Sequence, residues 1–171
     1  MSHVLAQVNM GRLRAPLESP ELAGFMAALD PVNALADAAP GFVWRLQTED
    51  GNATAIRAFE WDAADSAGVI VNMSVWESAE ALAAFVYSDA HRQVLRRRRE
   101  WFQPMAEAYA ALWWIPRGTT PATADAEDRV RHLRAHGPTP YAFTLRAHFP
   151  PPGGPDPGRP RNGRPEWMCP A

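Results

Sequence analysis

One stretch, residues 69–102 (VIVNMSVWESAEALAAFVYSDAHRQVLRRRREWF), limits the possible folds more than any other part of the chain. Residues 69–76 alternate as a strand does. Val69, Val71, Met73 and Val75 take one face, and Ile70, Asn72, Ser74 and Trp76 take the other. Glu77 leaves one residue for a corner. Ser78 is then a helix N-cap, with Glu80 in the first turn where its charge suits the helix dipole. A helix is expected from there to about Phe102, with Ser88-Asp89 as a place where it loosens or restarts. Strand and helix together are expected to wall whatever site the protein has.

The flanking segments complete a short list of elements. Residues 3–12 alternate, with Val4, Ala6, Val8 and Met10 on one face and Leu5, Gln7 and Asn9 on the other. Residues 20–39 carry Leu22, Phe25, Met26, Leu29, Val32, Leu35 and Ala36 at helical spacing, with a restart and kink expected where Asp30 caps Pro31. Residues 42–47 form a second strand, and Asp50-Gly51 marks a turn. Residues 56–61 are a short strand or a loop with aromatic anchors. A strand at 111–118, a helix from an N-cap at Thr123 to Gly137, and a fifth strand at 141–149 follow.

This order is βαββαβ with an extra helix and strand, an α+β class chain of ferredoxin-like topology. Such a sheet carries helices on one face. The other face is apolar here and would most simply be covered by a second copy of the chain, so a homodimer is expected. The domain should span residues 1–149, with the Pro- and Gly-rich 150–171 as a flexible tail.

Composition narrows the function classes. The 17 basic and 19 acidic residues nearly balance, which argues against a nucleic-acid partner. No apolar run reaches the length of a membrane helix, and the first ten residues do not read as a secretory signal, so a cytoplasmic protein is expected. A single cysteine, Cys169, makes neither an internal disulfide nor a metal cluster. There is no nucleophile elbow, phosphate-cradling loop or dinucleotide fingerprint.

The segment VNMSVWESAEALAAFVYSDAHRQVL resembles the dimeric α+β barrel superfamily, which includes antibiotic-biosynthesis-type monooxygenases. More closely, GFVWRLQ, IVNMSVWES, LAAFVYSDAHRQVLRRRREWF, ALWWIPRG and LRAHGPTPYAFT resemble, in order, the domain of unknown function 3291 family. The superfamily resemblance implies a pocket between sheet and helices. Its haem-degrading members use an Asn on the first strand and a Trp and a His on the second helix. Those positions fall here on Asn9, Phe85 and Leu95. The resemblance therefore places no haem ligand at the usual position, although His91 lies one turn earlier.

Candidate residues follow from both sources. His91, Leu95, Arg98 and Phe102 share one helical stripe. Arg98 is read as an anchor for an anion, or as an ion-pair partner of Glu60 or Glu77. His91 is read as a general base or hydrogen-bond donor, or as a partly exposed cap. Asn9, Asn72, Ser74 and Trp76 form either a ligand-orienting patch or a network that sets strand register. Trp44, Trp61, Trp76, Trp101, Trp113 and Trp114 either line a pocket or fill the core. His132 and His136 have the spacing for shared metal ligation, but no third ligand is evident and no metal is expected. The reading is a cofactor-independent, monooxygenase-like protein acting on an aromatic or polycyclic molecule. The alternatives are a non-catalytic binder of a hydrophobic ligand such as haem, and a structural dimer.

Overall fold

The computed structural model describes residues 2–154. Cys169 and the tail from residue 155 onward lie outside the described residues. The elements are β1 (His3–Arg12), α1 (Ala23–Asp37), β2 (Phe42–Arg45), β3 (Val69–Trp76), α2 (Ala79–Val86), α3 (Asp89–Arg96), α4 (Arg98–Trp101), β4 (Ala110–Pro116) and α5 (Thr123–His136). The four strands form one sheet in the order β2-β3-β1-β4, antiparallel throughout. This is the α+β, split-βαβ arrangement expected from the element order. No helix among the described residues is long and apolar enough to cross a membrane.

Alternation along β1 and β3 divides the sheet into two chemically different faces. Val4, Ala6, Val8 and Met10 share one face with Val71, Met73, Val75, Ala111, Trp113 and Ile115 in a single buried cluster. Ala126, Val130 and Leu133 of α5, with Ala58 and Phe59, complete that cluster. Val130 is fully buried, and an apolar side chain of this size contributes about 1.5–3 kcal/mol on burial. The face expected to need a second copy as cover is therefore covered by the chain's own α5 and the segment around Phe59.

The opposite face carries Leu5, Gln7, Asn9, Asn72, Ser74 and Trp76 and lies under α1, α2 and α3. The corner between β3 and α2 is tightly held. The Glu77 N–H donates to the Gly41 carbonyl at 2.7 Å, and Arg117 Nη1 donates to Glu77 Oε1 at 2.8 Å. Ser78 caps α2 as expected, accepting from the Ala81 N–H at 3.1 Å.

Several expectations are corrected. The helix predicted over 78–102 is three helices, because Ser88 caps a fresh start, accepting from the His91 N–H at 3.4 Å. In contrast, α1 runs without interruption through Pro31, so Asp30 is not a cap. Its continuity lets Phe25, Leu29, Val32 and Ala36 face one cavity, while Met26 and Leu35 of the predicted apolar stripe stay exposed. The N-cap of α5 is Ala122 rather than Thr123, and its backbone N–H donates to Asp125 Oδ2 at 2.9 Å. Residues 141–149 do not form a strand. They make one isolated bridge to the sheet, in which Leu112 and Phe143 exchange backbone hydrogen bonds of 2.8 and 2.9 Å, and Trp114 Nε1 donates to the Phe149 carbonyl at 2.7 Å.

Candidate functional site

A cavity of about 380 Å³ lies between the sheet and α1–α4. Ligand sites typically enclose about 300–1,000 Å³ between apolar walls with a few placed polar groups, and this cavity fits that description. The last register pair between β2 and β3 is Arg45 with Ser74, the Leu46 N–H donates to the Met73 carbonyl at 2.8 Å just beyond it, and Asn72 is exposed.

The floor is a connected polar strip. Gln7 and Ser74 are register partners, as are Asn9 and Asn72. Gln7 Nε2 donates to Ser74 Oγ at 2.8 Å and to Asn72 Oδ1 at 3.1 Å, and Asn9 Nδ2 donates to Gln7 Oε1 at 3.5 Å. Trp76 Nε1 donates to Ser74 Oγ at 2.8 Å. The Trp76 N–H is thus satisfied inside the protein, and its ring, only 1% exposed, lies beneath Phe85. Phe85 stacks on that ring at 5.2 Å between centroids, and the His91 imidazole lies 4.9 Å beyond Phe85.

His91 sits in the first turn of α3 and lines the cavity. Its Nδ1 lies 3.0 Å from the Val86 carbonyl oxygen, which can only accept, so Nδ1 carries the hydrogen. Burial pushes the imidazole pKa below its ordinary value, outweighing the opposing effect of the Val86 hydrogen bond. A neutral ring protonated on Nδ1 leaves the Nε2 lone pair as an acceptor.

Arg98, in α4, also lines the cavity. Its guanidinium stacks 4.2 Å from the Tyr109 ring centroid, and Nη2 donates to the Met10 carbonyl at 3.3 Å. Neither expected acidic partner reaches it: Glu60 pairs with Arg57 and Glu77 with Arg117. Burial lowers its pKa, with Tyr109 acting in the opposite sense.

All eight predicted site residues line this one cavity: Asn9, Asn72, Ser74, Trp76, Phe85, His91, Leu95 and Arg98. The stripe His91–Leu95–Arg98–Phe102 reaches it although the helix breaks at Arg97. Leu95 is 40% exposed, which puts it at the rim. The tryptophans divide. Trp76 and Trp101 line the cavity, Trp113 fills the opposite core, and Trp61 lies outside beneath Arg131. His132 Nε2 is held at 2.8 Å from Thr139 Oγ1, and no group of three or more potential metal ligands occurs among the described residues.

Sequence reasoning left out Gln7, Asn33 and Tyr109. Gln7 shares a face with Asn9, so strand alternation contained that signal. Asn33 projects from α1 into the roof and has no hydrogen-bond partner among the described residues. Tyr109 precedes β4, and no local pattern marks it.

Comparison with known proteins gives one family and a group of loosely similar folds. Rv0793 from Mycobacterium tuberculosis is 14% identical, aligning over 70% of this chain and 99% of its own, with a TM-score of 0.43. PA3566 from Pseudomonas aeruginosa is 12% identical over 70% of this chain and 98% of its own, with the same TM-score of 0.43. SnoaB, a cofactor-independent oxygenase from Streptomyces nogalater, is 17% identical over 71% of this chain and 100% of its own, again with a TM-score of 0.43. No curated protein matches the chain. Residues 4–159 match the family described as Domain of unknown function (DUF3291), and the chain belongs to that family.

Proposed function

We propose that the cavity binds a small, planar, largely apolar molecule and that His91 takes a proton from it during a cofactor-independent oxygenation. The observation that carries this reading is the state of His91, a neutral imidazole with Nδ1 committed to Val86 and Nε2 without a partner among the described residues, beside the Trp76–Phe85 ring pair. A general base needs that free lone pair and a pKa below the working pH. Asn9, Asn72 and Ser74 orient polar substituents of the ligand. Phe85 and Leu95 supply apolar contact, Trp76 supports Phe85 from beneath, and Arg98 stabilises negative charge as the proton leaves.

The chemistry balances without an external reductant when the substrate carries an acidic methylene between aromatic rings. The carbon loses two hydrogens and gains one oxygen atom, and the other oxygen atom leaves as water. All electrons that reduce dioxygen come from the substrate carbon. The protein needs only to remove the first proton and to hold the carbanion in a dry site.

The test is oxygen consumption and product mass with a panel of polycyclic phenols and ketones. Turnover by the native protein that falls at least about 100-fold in His91→Gln supports the reading, the scale expected for a lost general base. Equal rates in both proteins sink it.

A second reading is a non-catalytic binder of a hydrophobic ligand such as haem. It is favoured by the same His91 geometry, since a backbone-anchored Nδ1 presents Nε2 to a metal. A Soret band that appears on haem titration and vanishes in His91→Gln would select it. A homodimer of this chain would use a surface other than the sheet face closed by α5.

A further inference from the structure

The most unusual group in the cavity wall is a cation without a counter-charge. Arg98 makes no ion pair among the described residues, and of the five N–H donors of a guanidinium one is engaged, with the Met10 carbonyl. The aromatic faces of Tyr109 and Phe102, at 4.2 and 5.6 Å, hold the group in place without neutralising it. Arginines buried this way are ordinarily paired, as Asp62 pairs with Arg12 and Arg134 elsewhere in this fold.

A second observation is independent of the first. Arg14, Arg92, Arg96 and Arg99 are all exposed and also make no ion pair among the described residues. Three of them lie on α3 and the turn of α4, which carry His91 and Arg98. Arg14 joins them through its Nη1, which donates to the Arg99 carbonyl at 2.5 Å. Charges grouped around a cavity raise the arrival rate of ligands of opposite sign.

We infer that the ligand of this cavity is an organic anion, an aromatic or polycyclic molecule carrying a carboxylate or similarly charged oxygen group, which docks its charge on Arg98 and is drawn in by the arginines on α3 and α4. The inference rests on the cavity being a ligand site, as proposed above, and adds the charge of the ligand. An apolar body lies against Phe85 and Val32, the anionic group reaches Arg98, and the floor amides lie between them.

The test compares two probes with the same rings, 8-anilinonaphthalene-1-sulfonate and the neutral N-phenyl-1-naphthylamine, by calorimetry and fluorescence. The sulfonate should bind once per chain and about tenfold or more tighter than the neutral probe, the scale of one charge-assisted contact. Arg98→Met should abolish that preference and Arg98→Lys should retain part of it, with thermal melts showing that both variants fold. Replacing Arg92, Arg96 and Arg99 together by Gln should slow association of the sulfonate at low salt and leave its dissociation unchanged. Val32→Trp, which fills the cavity, should remove both probes. Equal affinity of the two probes with no effect of Arg98→Met overturns the anion inference and leaves the ligand cavity standing. Sulfonate binding that survives Val32→Trp also overturns it, because the anion then lies elsewhere. If neither probe binds the native protein, the ligand-cavity reading falls too.

Discussion

Trp76 donates its indole N–H to Ser74 Oγ, 2.8 Å away on the same face of β3, and Gln7 donates to the same oxygen at 2.8 Å. The hydroxyl therefore satisfies two donors at once, one of them on a ring only 1% exposed. Ser74→Ala leaves the indole N–H buried without a partner, a loss of about 1–3 kcal/mol. Urea unfolding monitored by fluorescence checks this. A midpoint equal to that of the native protein would show that the indole finds another acceptor.

Asp62 ties together segments that are distant in the chain. Arg12 Nη2 and Arg134 Nη1 each reach Asp62 Oδ1 at 2.8 Å, and Arg12 Nε donates to the Asp62 carbonyl at 2.9 Å. Burial alone would raise its pKa, but the hydrogen bonds from Arg134 and Arg12 outweigh that and hold the carboxyl below the ordinary range. A depressed carboxylate stabilises the fold above its unfolded pKa, and that contribution is lost as pH falls through the folded value. Asp62→Ala is expected to destabilise by about 3–5 kcal/mol, since two half-buried guanidinium groups lose their shared partner. The loss should be smaller for Asp62→Asn, which keeps an acceptor. Denaturant midpoints of the two variants give the comparison.

His91 makes stability fall on acidification too, but beginning at higher pH than Asp62. Its folded pKa is below the ordinary 6.5, so between those two values the unfolded chain binds a proton that the fold refuses. Stability should decline as pH falls below about 6.5 and be flat with respect to this group above it. Unfolding midpoints at a series of pH values, native against His91→Gln, isolate the effect. An identical slope in the two proteins would assign the decline to other groups.

Gly41 allows α1, β2 and α2 to meet. Its φ is +80°, and a Cβ placed there would lie 2.6 Å from the Ala81 Cβ. Gly41→Ala combines backbone strain with a clash and should destabilise by about 2–4 kcal/mol. Gly51, with φ +79° and nothing within 4 Å, is the control. Gly51→Ala should lose only the backbone part, about 1 kcal/mol. Equal losses in the two variants would mean that the Ala81 contact relaxes freely.

What the sequence by itself determined is local and periodic. Period-two alternation divided β1 and β3 correctly, so the polar face bearing Asn9, Asn72 and Ser74 was legible before any tertiary structure. A one-residue slip would have inverted it. Ser78 and Gly137 marked helix ends through capping chemistry that acts within a few residues. The tertiary structure decided whatever depends on which surfaces meet. α1 continues through Pro31 although proline lacks the N–H that would complete a backbone hydrogen bond there, an outcome the local sequence does not dictate. The covering of the second sheet face depends on where α5 lands, and its sequence alone is equally consistent with an open surface. Whether Arg98 has a counter-ion depends on Glu60 and Glu77 being engaged elsewhere. Tyr109 joined the cavity through the fold alone, because long-range packing brings it to Arg98 and no spacing in the chain encodes that contact.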